Sequence, residues 1–241
     1  MYYTDFLIPY ALYFIYSLQK AEILLHYVSV LTIKKEKLIM KKTIFSTLLA
    51  ATLGIGASVN AAEIKKLPQP DLLQNTPSLM ELLNTRQSER IYDKDKKIDD
   101  QTLSEILWAA YGMNKNGKRT IATARNEQNL KVFVLDENGI WFYNAPENQL
   151  EKISDENAIA YTAEQQKFVL DAPIHLIYTS SDTKWGNDHA GSAYQNVYLY
   201  ATAKGLATVI RGLVDFDALH KALKLADDEF VIVHQPIGYA K

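Results

Sequence analysis

Three short polar clusters hold the residue types with which this chain could bind or transform a ligand. The first is Thr85-Arg86-Gln87-Ser88-Glu89-Arg90. In an extended segment alternate residues face one way, so Arg86, Ser88 and Arg90 share a side. Guanidinium forks match phosphate oxygens, which makes this side an anion cradle; a solvated charged loop has the same composition. The second cluster lies in the long connection Asn114–Asn129, where Thr120, Thr123, Arg125 and Asn126 offer donors. Connections of that length are usually functional or disordered. The third is Arg211-Gly212. Of the histidines, His189 is the most interesting for function, whereas His175, His220 and His234 read as satisfied or surface residues. No two histidines have metal-ligand spacing, and no Gly-x-Ser-x-Gly nucleophile turn is present. Trp108 reads as core and Trp185 as a packed loop tip.

The elements that position these clusters follow from periodicity. Tyr194, Val197, Tyr198 and Ala201 recur at helical spacing, and Leu199 and Tyr200 add a second apolar face, so the helix is expected to be buried on most sides. Gly205 stops it in the left-handed conformation. Leu206–Ile210 reads as a short buried strand, from which Arg211-Gly212 turns away. Upstream, Ser78-Leu-Met-Glu81 is a capping box that starts a short helix over Leu79–Asn84. Asp99 or Asp100 caps a helix over Gln101–Tyr111, whose stripe is Leu103, Ile106, Leu107, Ala110 and Tyr111 and whose stop is Gly112. Leu130–Leu135 and Ile140–Tyr143 are strands joined by Asp136-Glu-Asn-Gly139, a hairpin signal. Leu150–Leu170 reads as one or two short helices ended by Asp171-Ala-Pro173. Ile174–Thr179 is a strand, Asp215 caps a helix through Leu223, and Glu229–Pro236 is the last strand. Glu63–Thr76, polar and punctuated by proline, reads as an extended arm outside the core. Without a regular βαβ alternation, the expected class is α+β.

The chain has 241 residues and a formal net charge of −2. Residues 1–62 hold six Lys and three acidic residues, so the remainder carries an acidic excess, unlike the basic face of a nucleic-acid binder. There is no cysteine, which excludes disulfides, thiolate catalysis and thiolate-bound metals. Met40-Lys41-Lys42, the apolar run after it and Val59-Asn60-Ala61 form a secretory signal peptide with cleavage expected after Ala61. That implies a periplasmic or secreted mature protein. The signal begins forty residues late. The preferred reading takes Met40 as the start and residues 1–39 as a mistranslated upstream extension. In the other reading Phe6–Leu18 and Ile23–Ile33 are membrane segments, but both are shorter than a spanning helix needs. The expected organisation is therefore an extension over 1–39, a signal peptide over 40–61, an arm over 62–77 and a domain over 78–241.

Four stretches together resemble the nitroreductase family of flavin enzymes, nearest to its branch of thiazoline/oxazoline dehydrogenases. They are Arg86–Arg90, Leu103–Gly112, Arg119–Asn126, and Gln195–Tyr200 running through Gly205-Leu-Ala-Thr208 and Arg211-Gly212 to Ile237-Gly-Tyr239. The resemblance covers about Ser78 to Lys241. It implies an FMN-binding α+β fold and an intertwined homodimer with flavins at the subunit interface. Arg86, Ser88 and Arg90 match the family segment that holds the flavin phosphate, ribityl chain and ring edge. Thr123, Ala124, Arg125 and Asn126 match a loop that reaches FMN from the other subunit. Ile210, Arg211 and Gly212 match the turn beside the ring, and Gln166 or its neighbour Gln165 falls where the family sets an amide against it. Ala122 stands where the family usually has Pro, and Thr123 where it usually has Ser.

What the resemblance implies is an exported FMN-dependent oxidoreductase, working by ping-pong transfer on a small planar substrate with an electron donor the sequence leaves open. No side chain has to shuttle protons, because the flavin carries the chemistry. Arg90 and Arg211 are the expected cations near the ring. The rival reading is a non-catalytic exported binding protein on the same fold.

Overall fold

The computed structural model describes residues 63–241 apart from 73 and 74. The readings of residues 1–39 and of the signal peptide at 40–61 fall outside the described residues. One antiparallel sheet of seven strands organises the rest, in the order β1-β4-β3-β2-β5-β7-β6. Its strands are β1 (Ile64–Lys66), β2 (Leu130–Asp136), β3 (Gly139–Asn144), β4 (Gln149–Ser154), β5 (Ile174–Ser180), β6 (Leu206–Thr208) and β7 (Phe230–Tyr239). The helices are α1 (Leu79–Thr85), α2 (Asp100–Tyr111), α3 (Gly186–Lys204) and α4 (Phe216–Ala222). The class is α+β, as expected.

The alternation of β5 divides the core in two. Leu176 and Tyr178 face α2 and α3, where Ile106, Leu107, Ala110, Ala193, Val197 and Ala201 close the larger cluster. Ile177 faces the other way, onto Leu219 and Leu223. Burial of a side chain such as Leu107 stabilises by about 2–3 kcal/mol. Local chemistry fixes the ends. Ser78 Oγ accepts from Glu81 N at 3.2 Å, Asp99 accepts from Thr102 N at 2.7 Å, and Asp215 accepts from Ala218 N at 2.9 Å. Gly205 ends α3 at φ 64°. Gly139 closes the β2–β3 hairpin at φ 135°, where a Cβ would lie 2.2 Å from Ser154 O.

Three readings need correction. Residues 150–154 belong to strand β4, not to a helix; residues 159–162 and 167–171 are only 3-10 turns. Only Leu150 of β4 is fully buried, so the strand shows no alternation in its sequence. The arm is extended but not peripheral: β1 pairs with β4, and Leu67 is part of the core. Ser104 Oγ and Asn148 Nδ2 both donate to Pro68 O, at 2.5 and 2.8 Å, and Gln101 donates to Gln69 O. The last strand runs on through Pro236 to Tyr239, with Pro236 opposite His175.

Candidate functional site

The Arg86–Arg90 segment leaves α1 at its C-cap, where Arg86 N–H donates to Leu82 O, and runs along the edge strand β6. Glu89 N–H donates to Thr208 O at 3.0 Å. Above this edge stands Tyr198 of α3. Its hydroxyl lies 3.0 Å from Ser88 Oγ and accepts from Ile210 N–H at 2.8 Å. One phenol therefore joins three stretches that are far apart in the sequence. Because Ile210 N–H takes one lone pair, Tyr198 O–H is free to donate to Ser88. The Arg86 guanidinium lies 5.2 Å from the centre of the same ring, a cation–π contact. Neither Arg86 nor Arg90 has a carboxylate partner among the described residues. Tyr198 was read from its spacing only as part of a core stripe; nothing within helix α3 signals Ser88, 110 residues away.

Arg211 is placed differently. It is 6% exposed, and its side chain points into the protein. Nε donates to Gln166 Oε1 at 2.8 Å, Nη1 to Thr162 O at 2.6 Å, and Nη2 to Leu213 O at 2.9 Å. Nη1 also lies 3.3 Å from His234 Nδ1. Gln166 is thus joined to Arg211, while its own chain position is exposed. Behind them sits a buried histidine pair, His175 Nδ1 to His234 Nε2 at 2.9 Å. His175 Nε2 lies 3.0 Å from Ala172 O, a carbonyl that can only accept, so this nitrogen carries the proton. His175 Nδ1 then accepts from His234 Nε2–H, and His234 Nδ1 accepts from Arg211. Burial pushes the His175 pKa down to about 4, and burial together with the neighbouring His175 and Arg211 pushes His234 well below its usual value. Both rings are neutral at pH 7. The expectation that His175 is a satisfied core histidine agrees with this geometry; His234 is a structural residue in the same chain of bonds.

The loop at Thr123–Asn126 rests on the other half of α3. Ala124 N–H donates to His189 Nε2 at 2.8 Å, and His189 Nδ1 lies 3.2 Å from Asn129 Oδ1. Asn129 in turn donates to Asp182 Oδ2 at 3.0 Å. Arg125 and Asn126 take the left-handed conformation, φ 50° and 59°, which is unusual outside glycine and is held by these contacts. Arg125 pairs with Glu127 at 3.1 Å. Thr120 donates back to Ala109 O at 3.2 Å. Nine residues separate His189 from Tyr198, about 13 Å along the helix. Within one chain, then, Arg86, Ser88 and Ile210 gather at Tyr198, Arg90 lies exposed two residues beyond Ser88, Arg211 gathers with Gln166, and the Thr123–Asn126 loop packs against His189 instead.

Gly212 completes the site. Its N–H has no acceptor among the described residues, and a Cβ there would meet no atom within 4 Å. Two unpaired guanidiniums, a hydroxyl and a free backbone N–H beside open space fit a phosphate-bearing ligand with an acceptor edge. A cavity of about 390 Å³ is lined by mixed charges such as Lys94, Lys97, Glu137 and Asp171, and these are paired among themselves.

Comparisons with known proteins bear on the family and the fold. The Nitroreductase family profile matches residues 83–239. A Methanocaldococcus jannaschii protein assigned as a nitroreductase is 30% identical, over 56% of this chain and 78% of its own. The crystal structure of a protein assigned to the nitroreductases from Ralstonia eutropha superposes with a TM-score of 0.68 at 30% identity, covering 77% of this chain and 93% of that one. A chain of the Escherichia coli microcin synthetase complex shares the fold alone, with a TM-score of 0.53 at 16% identity over 73% of this chain and 79% of its own. The chain belongs to the nitroreductase family.

Proposed function

We propose that the protein is an exported FMN-dependent oxidoreductase acting as a homodimer. The observation that carries this reading is the Ser88–Tyr198–Ile210 bridge, which sets the unpaired Arg86 and Arg90 beside the turn that bears the free Gly212 N–H. In this reading Arg86 and Arg90 hold the FMN phosphate, Ser88 binds the ribityl chain, and Gly212 N–H donates to the ring. Thr123, Ala124, Arg125 and Asn126 reach the flavin of the partner copy. When bound, FMN supplies reversible hydride and electron transfer, with donor and acceptor taking turns in one site and kinetics of the ping-pong type. The protein's part is to bind, orient and leave one face open for a small planar substrate. The sequence motifs support a reading nearest the thiazoline/oxazoline dehydrogenase branch. The signal at Met40–Ala61 supports a periplasmic or secreted site of action, where nicotinamide donors are scarce.

Two features support the dimer. Helix α1 has no buried residue and exposes Leu79, Met80 and Leu83 on one face. The Thr123–Asn126 loop also rests on His189, about 13 Å along α3 from Tyr198 and the cradle of its own chain. Sedimentation tests this: a dimer is expected, and a monomer from Leu83→Asp. A wild-type monomer at micromolar concentration overturns it.

The cofactor is tested on the purified protein by visible absorbance and chromatography of released flavin. Near-stoichiometric FMN is expected in the wild type, and loss of FMN with the fold retained in Arg86→Ala. A folded protein that stays colourless after FMN is added overturns the flavin reading and favours a binding protein on the same fold.

A further inference from the structure

Arg211 is fixed through both its main chain and its side chain. Its N–H donates to His234 O and its O accepts from His234 N–H, each at 2.9 Å. Its guanidinium donates to Gln166, Thr162 O and Leu213 O. Leu213 lies two residues further on, so the last bond closes a ring around Gly212. On the other side, Ile210 N–H is held by Tyr198 at 2.8 Å. Gly212 N–H is what this turn leaves without an acceptor among the described residues, and Gly212 itself is exposed, with no atom within 4 Å of where a Cβ would lie.

We propose that Arg211 is a positioning residue: its guanidinium fastens the turn so that Gly212 N–H stands as a preformed donor for the bound ligand, and the side chain itself does not touch that ligand. The naming of the ligand as FMN rests on the reading above; the positioning role does not. A donor held before the ligand arrives costs no reorganisation when it is used. The anchor is directional. His175 donates to Ala172 O, His234 donates to His175, and Arg211 donates to His234, so each proton position is set by the next group. Ala172 lies just ahead of β5, in the middle of the sheet, and the turn is thereby tied to the rigid centre of the fold. Lysine cannot replace this fork, because it has one nitrogen where the guanidinium has three spread in a plane.

The test reads Gly212 directly. Backbone order parameters are measured by NMR on the ligand-free protein, the wild type beside Arg211→Lys and Arg211→Met. A rigid Gly212 is expected in the wild type, about 0.85, and a value below about 0.6 in both variants. An unchanged value in folded Arg211→Met overturns the proposal, whatever FMN does. FMN is then added. Both variants are expected to keep FMN within about tenfold of the wild-type Kd and to lower the midpoint potential of the bound flavin alike, since a lost donor disfavours the electron-rich form. If the charge mattered and not the fork, Arg211→Lys would restore the wild-type potential and Arg211→Met would not; that result also overturns the proposal. A wild type that takes up no FMN sinks the flavin reading alone, and Gly212 mobility still decides the role of Arg211. Should Arg211→Met not fold, Gln166→Leu carries the test, because Gln166 is exposed and supplies one acceptor. Greater Gly212 mobility in that variant supports the proposal, and an unchanged Gly212 overturns it.

Discussion

Arg86 and Arg211 sit in the same neighbourhood and have opposite fates. Arg86 is half-buried, stacks on Tyr198 and has no acid to pair with among the described residues. Arg211 is buried and donates to three oxygens and a histidine. Both side chains are charged, Arg86 standing between Thr85 and Gln87 and Arg211 between Ile210 and Gly212. The first is left for something that is not part of the chain, and the second is part of the frame. What separates them is the set of acceptors supplied from elsewhere. Thr162 and Gln166 come from a loop before β5, and His234 comes from the last strand. No such acceptors reach Arg86 or Arg90 among the described residues. A guanidinium in a motif is thus a ligand-binding group only where the fold leaves its donors unused.

The frame side of this contrast gives the largest expected effect, and acid exposes it. In the unfolded chain His175 and His234 take up protons near pH 6.5. Folded, His175 resists protonation down to about pH 4, and His234 is also depressed. Between those values the unfolded state holds more protons, so stability is complete above pH 6.5 and is lost progressively as pH falls towards 4. For His175 alone the loss reaches roughly 2 kcal/mol by pH 5, and His234 adds to it in the same direction. Thermal unfolding followed from pH 7.5 to 5 checks this, and a flat profile would contradict the neutral pair. Next in size is Arg211→Met, expected to cost about 3 kcal/mol, because Thr162 O and His234 Nδ1 lose their donor in a buried setting. Denaturant midpoints measure it. Tyr198→Phe stands between the two regions. It removes one hydroxyl that serves Ser88 and Ile210, at about 1–2 kcal/mol, and should weaken FMN as well. Arg86→Ala closes the series with a stability change under about 0.5 kcal/mol and a large loss of FMN. If Arg86→Ala proved as destabilising as Arg211→Met, the division between frame and ligand site would fail.

Much of the fold can be read from local signals. Ser78, Asp99 and Asp215 act as caps, Asp136–Gly139 makes the hairpin, and Gly205 stops α3, each through contacts within a few residues. Strand β4 could not be read this way. Its partners β1 and β3 bury only Leu150 fully, and Lys152 reaches Asp155 and Glu63 at the surface, so its burial has no period of two. Strand β1 is three residues of a polar arm, made a strand by β4. The site divides similarly. The alternation of Arg86, Ser88 and Arg90 is visible in one short stretch, and Arg86 and Ser88 meet Ile210 at Tyr198. The hub between them is not visible, because Tyr198 becomes one only when Ser88 and Ile210 arrive. The same holds for Arg211: its residue type suggests a cation near a ring, and only Gln166, Thr162 and His234 show where the charge is spent.

The 13 Å that separates the Thr123–Asn126 loop from Tyr198 along α3 has a thermodynamic consequence. In the proposed dimer a single flavin touches the cradle of one copy and the loop of the other. Cofactor uptake and self-association are then linked equilibria, and each must strengthen the other. A flavin at 100 times its Kd would add about 2.7 kcal/mol to dimer stability per site. Dilution would strip flavin from the protein, and excess flavin would hold dilute chains together. The loop and the cradle, which never meet in one chain, would make loading with cofactor a measure of how much protein is present.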